Sequence, residues 1–256
     1  MRSALWSLVL ASGLLGAPAQ AESLVATLSS DRIAITSNFT GAELTIFGAI
    51  ERDALTIARS GNYDITITVR GPRGLVNVRE KKQWGPFWLN LNQRKYIAVP
   101  AFISILTNRP LEAIASPEIQ AKLRLGVENL VTPQGDKNQR IDTEEPDFRA
   151  ALIRLRREQK LFGENGKAVT FFGNNLFRSA LRVPGSAPLG NYDVDVSLFA
   201  DGVPLAKTST SFTVIKSGAE QTITDASRAD AAGYGIGTAG LAVLLGWLAT
   251  LVFRRD

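Results

Sequence analysis

The sequence predicts a mainly β chain with a helical insertion (α+β), ending in one C-terminal transmembrane helix. Three observations predict it. Short runs in which apolar and polar residues alternate, the period of half-buried strands, fill residues 24–110 and 168–215. Between these runs lie two stretches that carry helix-start chemistry. Finally, Ala231 to Phe253 has no charge; a membrane helix needs roughly 20 apolar residues.

Composition narrows the chemistry. The chain has 256 residues, enough for one large domain or two small ones besides an anchor. It has no Cys, so no disulfide staples it, although an oxidising compartment is permitted. It has no His, which removes the commonest general base and zinc ligand. Between the two termini 26 basic residues face 23 acidic ones, too even a balance for nucleic acid.

Residues 1–21 carry Arg2, an apolar run from Ala4 to Gly16 and the triplet Ala19-Gln20-Ala21. That is the layout of a secretory signal peptide cleaved after Ala21; the alternative is an uncleaved second anchor. At the other end, Arg254 and Arg255 follow the apolar stretch, and Glu220, Asp225, Arg228 and Asp230 precede it. Lys and Arg favour the cytoplasmic side, which puts the C-terminus inside and the bulk of the chain outside. Tyr234 and Trp247 are aromatics suited to the two membrane interfaces. Gly235-Ile236-Gly237-Thr238-Ala239-Gly240 matches G-x-G-x-x-G, but no strand precedes it, so the dinucleotide reading is rejected. Gly233 and Gly237 form G-x-x-x-G, which lets helices approach closely in lipid; small residues are also common in membrane helices without such a contact. No LPxTG-like signal precedes the segment. Its Gly-rich start and Arg-Arg end also resemble cleaved sorting tails, which leaves the permanence of the anchor open.

The elements follow in order. Residues 24–28, Ile33 with Ile35, and residues 43–47 and 63–69 are predicted strands. Gly71-Pro72-Arg73-Gly74 is a turn, and residues 75–82 and 87–91 are two further strands. Residues 95–106 are apolar and interrupted by Pro100, a sheet edge or bend. Ser116-Pro117-Glu118 starts a helix with Ser as cap and Pro at the first position, ending near Gly126. Residues 132–145 are loop-like. Pro146 opens a longer helix to about Gly163, with Phe148, Leu152, Leu155 and Phe162 on its apolar stripe. Its basic face, with Arg149, Arg154, Arg156, Arg157 and Lys160, is a solvated surface, a lipid-headgroup contact or a partner site. Residues 168–172, 176–183, 192–200 and 208–215 are strands, with turns at 184–191 and at Asp201-Gly202.

One internal echo stands out. Gly61-Asn62-Tyr63-Asp64-Ile65 recurs as Gly190-Asn191-Tyr192-Asp193-Val194. A Tyr entering a strand after Gly suits the tyrosine corner of Ig-like sandwiches, where the phenol reaches back to a backbone group. The expected organisation is one or two Ig-like β-sandwich modules plus the membrane helix. The segments are a signal peptide (1–21), a first β module (22–112), a helical segment (113–164) and a second β module (165–217). A juxtamembrane linker (218–230), the transmembrane helix (231–253) and a cytoplasmic tail (254–256) complete the chain.

Catalytic signals are lacking. There is no G-x-S-x-G and no Ser three residues before a Lys, and the soft ligands of a zinc site are absent. The acidic stretch from Asp136 to Asp147 resembles a calcium loop at its ends. Inside, Arg140 and Ile141 stand where an oxygen ligand and Gly are needed. Carboxylate pairs for glycoside hydrolysis are conceivable, but no spacing fixes two of them. No catalytic, cofactor or metal residue is therefore assigned. The most unusual exported stretch is Lys81, Lys82, Gln83, Trp84, Gly85, Pro86, Phe87 and Trp88. Aromatics beside cations stack on sugars, bases or a partner's side chains, and they also pack at strand bends. Lys81, Lys82, Trp84, Phe87 and Trp88 are the candidate partner or ligand surface. Asn38-Phe39-Thr40 fits a glycosylation sequon.

Together Gly71-Pro72, Trp84-Gly85-Pro86-Phe87-Trp88, Val99-Pro100-Ala101-Phe102, Asn108-Arg109-Pro110-Leu111, Pro188-Leu189-Gly190-Asn191-Tyr192, Tyr234-Gly235 and the segment from Gly246-Trp247 to Arg255 resemble a known family. It is the putative transmembrane protein family of alphaproteobacteria, over nearly the whole chain after residue 21. The resemblance implies a Gram-negative host, an inner-membrane anchor and a periplasmic domain. It implies no catalytic residues, and it ranks an anion-exporter type transporter among the partners. The expected function is a non-catalytic, membrane-anchored periplasmic binding or accessory protein whose partner is another envelope protein. The alternatives are a glycan- or small-ligand-binding domain and, further off, a carboxylate-based hydrolase.

Overall fold

The computed structural model describes residues 22–35, 40–52, 62–131, 145–216 and 231–253. Residues 1–21, expected to be a signal peptide, Asn38 and Phe39 of the sequon, most of the calcium-like stretch, the expected linker 218–230 and the Arg254-Arg255 tail lie outside the described residues.

Two sheets share one core. The smaller has the order β1-β3-β10-β9: β1 (Glu22–Leu28), β3 (Gly41–Arg52), β10 (Leu176–Pro184) and β9 (Val169–Phe172), all antiparallel. The larger has the order β2-β12-β11-β4-β7-β8: β2 (Arg32–Ile35), β12 (Val203–Lys216), β11 (Gly190–Ala200), β4 (Tyr63–Arg70), β7 (Ile103–Thr107) and β8 (Phe162–Asn165). Its two outer pairings, β2 with β12 and β7 with β8, are parallel. Both sheets mix strands from before and after the helical segment: β10 pairs β3, and β11 pairs β4. The chain order therefore does not divide into a first and a second module. Of the two readings, one or two β modules, the strand order supports one.

The period-two pattern does what it predicts. Along β10, Phe177, Ser179, Leu181 and Val183 are buried and their neighbours are not; along β11, Tyr192, Val194, Val196 and Leu198 point into the same core. Strand β4 is buried on both faces, and Phe199 of β11, which pairs with Asp64, lies on the outer one. There Ile114 and Ala115 pack on Phe199 and Leu125 in a second, smaller cluster. Asp201 and Gly202 turn β11 into β12 with φ of 50° and 81°, the paired positive values that a tight two-residue hairpin requires.

The helical segment differs from expectation. It holds α1 (Leu111–Ile114), α2 (Pro117–Leu123), α3 (Val127–Leu130) and α4 (Glu145–Glu158). The short α1 and α3 had no sequence signal, because four residues give no period. Ser116 occupies the N-cap position of α2, but its side chain makes no capping hydrogen bond. Helix α4 stops at Glu158, well before Gly163, and Phe162 belongs to β8 rather than to the helix stripe. Its buried residues are Phe148, Leu152 and Ile153, while Leu155 is exposed.

Helix α5 runs over the 23 residues Ala231–Phe253 without an acid in its first turn or a base in its last. Among the described residues no helix is long and apolar enough to cross a membrane.

Candidate contact surface on the hairpin

Strands β5 (Arg73–Trp84) and β6 (Phe87–Pro100) form a two-stranded ribbon that belongs to neither sheet. Its base is held in the core by Val78, Tyr96 and Val99, all buried. Two backbone hydrogen bonds close the root: the Gly71 N–H donates to the Phe102 carbonyl at 2.8 Å, and the Ala101 N–H donates to the Pro72 carbonyl at 2.9 Å. Gly71 is needed there because a Cβ would lie 2.9 Å from Phe102 Cβ and 3.0 Å from Tyr192 Cε1. Tyr192 is fully buried, stacked on Phe212 at 4.9 Å and tilted against Phe102 at 5.6 Å. Burial pushes its phenol up to about 12, and the hydroxyl donates to the Pro188 carbonyl at 2.6 Å. The phenol thus reaches back to a backbone group four residues upstream. Its counterpart Tyr63 differs: its hydroxyl donates to Glu22 Oε1 at 2.9 Å, a side chain on β1. Gly71-Pro72, Pro100 to Phe102 and Pro188 to Tyr192, far apart in sequence, thus converge on the hairpin root.

Beyond the root the ribbon leaves the core. Trp84 is 70 % exposed, Phe87 64 % and Trp88 65 %, and Leu89 is also exposed. Core packing, one of the two sequence readings of these aromatics, is therefore ruled out. Lys81 and Lys82 are exposed as well. Lys82 Nζ lies 3.3 Å from Glu80, which also accepts from Asn92 Nδ2 at 2.9 Å. The Asn92 hydrogen bond, supported by Lys82, holds the Glu80 carboxyl below its usual value against the opposing effect of burial. The pairing is Trp84 with Phe87, Gln83 with Trp88, Lys82 with Leu89 and Lys81 with Asn90. Leu91 is skipped in the register there, an irregularity that increases local twist.

A groove of about 670 Å³ runs between β5 and α4. Arg79, Lys81, Lys82 and Arg154 line it with Glu80 and Asp147, but Trp84, Phe87 and Trp88 do not. The basic face of α4 splits: Arg154 faces this groove, and Arg157 pairs with Glu128 at 3.1 Å.

On α5, Gly237 and Trp247 are exposed, and a Cβ on Gly237 would meet nothing within 4 Å, so its face is open. Gly233 lies one turn before it and is also exposed. The side chain of Tyr234 is outside the described residues.

Two charged networks had no sequence signal. Asp64, 1 % exposed at its side chain, accepts from Arg109 through Nε at 2.8 Å and through Nη2, and from Asn108 Nδ2 at 2.8 Å. The Asp64 hydrogen bond raises the Arg109 guanidinium above its ordinary value. Asp195 sits 2.6 Å from Arg70 Nη2, 3.0 Å from Lys207 Nζ and 2.6 Å from the Ser209 hydroxyl. Burial alone pushes its carboxyl up, but the Ser209 and Lys207 hydrogen bonds and the charges of Arg70 and Lys207 together hold it below its usual value. Among the described residues the carboxyls of Glu80 and Asp195 are both displaced downward. Among the described residues no group of three or more acids is placed to hold a metal ion.

The family model described as "Putative transmembrane protein (Alph_Pro_TM)" matches residues 23–255. No curated protein matches the chain.

Proposed function

The chain belongs to this family, and we propose that it is a membrane-anchored, non-catalytic binding or accessory protein of the cell envelope. Its β domain, of Ig-like sandwich type, lies in the periplasm after removal of a signal peptide. The helix Ala231–Phe253 crosses the inner membrane, and Arg254 and Arg255 lie on the cytoplasmic side. Supporting the crossing are the 23 helical residues, free of charge, and the two arginines directly after them. The partner is another envelope protein, with an anion-exporter type transporter the first to test.

The observation that carries the binding role is the hairpin: a ribbon rooted in the core, outside both sheets, whose end exposes three large aromatics. Aromatics dominate interface hot spots, and leaving them in water is unfavourable unless something covers them. The ligand-binding alternative would need these rings to line a concave site, and the groove beside β5 does not contain them.

The test is a photo-crosslinker at Gln93 on the hairpin shaft in intact membranes, with and without the double change W84A/W88A. A specific envelope membrane protein should be captured, and the double change should reduce capture at least tenfold while the circular dichroism spectrum stays native. An unchanged capture pattern sinks the assignment.

A further inference from the structure

We propose that the end of the hairpin, Trp84 to Leu89, seats in the lipid–water interface of the bilayer that holds α5. The domain would then touch the membrane at a second point. This rests on the membrane-anchored reading above: with its rings held in the interface, the ribbon presents its shaft and the groove beside it to a partner in the same bilayer, so losing the rings loses that placement as well.

The register carries the inference. Residues directly opposite in a ribbon share a face, and successive pairs alternate faces. Trp84 with Phe87, and Leu89 opposite Lys82, lie on one face; Trp88, opposite Gln83, lies on the other. Apolar groups therefore surround the tip instead of forming one stripe. A protein groove covers one face of a ribbon, whereas lipid surrounds it. Behind the rings, Lys82 and Lys81 also lie on opposite faces, forming a cationic collar. At about 3.4 Å per residue the collar stands roughly 7–10 Å from Trp84, close to the roughly 5–10 Å depth to which interfacial elements bury. That depth is still wet, so the open edges of a two-stranded ribbon keep water as a partner.

Charge points the same way. Residues 73–100 hold six bases and one acid, and that acid, Glu80, is tied to Lys82 and Asn92. Lys and Arg near an anionic bilayer surface are attracted to it. Trp prefers the headgroup level, where its amphipathic ring is half dry.

The experiment uses the full chain in vesicles of phosphatidylcholine with or without phosphatidylglycerol. In a W6F/W247F variant, Trp84 and Trp88 are the only tryptophans. Acyl chains brominated near the headgroup should quench at least half of their emission, chains brominated near the methyl end much less, and aqueous iodide little. A companion variant, W6F/W84F/W88F, reports Trp247 alone and should be quenched by the deep bromines. If Trp247 is quenched while Trp84 and Trp88 stay open to iodide, the tip does not sit in lipid and the anchored reading survives. If Trp247 is not quenched either, the anchored reading itself fails. K81Q/K82Q should abolish the preference for phosphatidylglycerol, and a preference that persists would overturn the collar.

Discussion

Removal of Arg109 should cost the domain more than any other single surface-side change. Asp64 is 1 % exposed, whereas Arg109 remains 51 % exposed. Arg109→Ala deletes two of the three side-chain donors to that carboxylate and leaves Asn108 alone on Oδ1. Breaking a buried pair strands a charge, at about 3–5 kcal/mol. Because Arg109 is half solvated and Asn108 stays, the low end, about 3 kcal/mol, is expected. For a domain of this size each kcal/mol moves the midpoint by about 2–4 °C, so the melting temperature of the full chain in detergent should fall by about 6–12 °C. The contact is also positional. Asn108 Oδ1 accepts from the Ile65 N–H at 2.9 Å, just past the last residue of β7, so the pair pins the start of the helical excursion to β4. Adding Asp64→Asn to Arg109→Ala removes the stranded charge and keeps an acceptor for Asn108, so about 2 kcal/mol of the loss should return. A cost below about 1 kcal/mol for Arg109→Ala, or no recovery in the double variant, would refute the reasoning, because Asp64 would then be solvated.

Four further outcomes are expected. Gly71→Ala places a methyl group 2.9 Å from Phe102 Cβ and 3.0 Å from Tyr192 Cε1; overpacking of about 1–3 kcal/mol exceeds the about 0.4–1 kcal/mol gained from a stiffer unfolded chain, and thermal unfolding should show a net loss. W84A/W88A should change stability by less than about 0.5 kcal/mol, since exposed side chains outside the core contribute little; a large fall in denaturant midpoint would mean that the rings pack somewhere. The Asp195 carboxyl is depressed below 3.8 in the fold, so its contribution is complete above that value and is lost as pH falls through the folded value; urea titrations should show the gap between wild type and Asp195→Asn closing as pH drops below about 4. Tyr192 is pushed up to about 12, so its contribution is present below the ordinary phenol value of about 10 and lost as pH rises through the folded value; between those values the wild type should lose stability that Tyr192→Phe does not.

Local chemistry explains how much was legible. Alternation located the strands because a sheet with one wet face forces period two, as in β10 and β11. Asp201-Gly202 announced its turn because few other pairs adopt two positive φ values. Strands β6 and β12 extend beyond their alternating cores, since their outer parts lie in ribbon or edge positions where polar residues break no rule. Phe162 fits a helical stripe in the sequence because an apolar residue at a helical spacing looks the same when the chain has already turned into β8. The aromatic cluster from Trp84 to Trp88 was visible as a string, but whether it faced core or solvent was not, because burial depends on where the ribbon is rooted.

What the sequence determined by itself was the set of segments: strands by their period, the long uncharged helix at Ala231–Phe253, and the absence of His and Cys chemistry. Each of these depends on neighbours a few residues away. The tertiary structure alone decided which strands meet. It threaded β10 beside β3 and β11 beside β4, merging the two halves into one core. It also left β5 and β6 outside both sheets with their rings in solvent. Pairing and burial are long-range choices settled by the competition among all apolar faces for one interior, and no local pattern carries that competition.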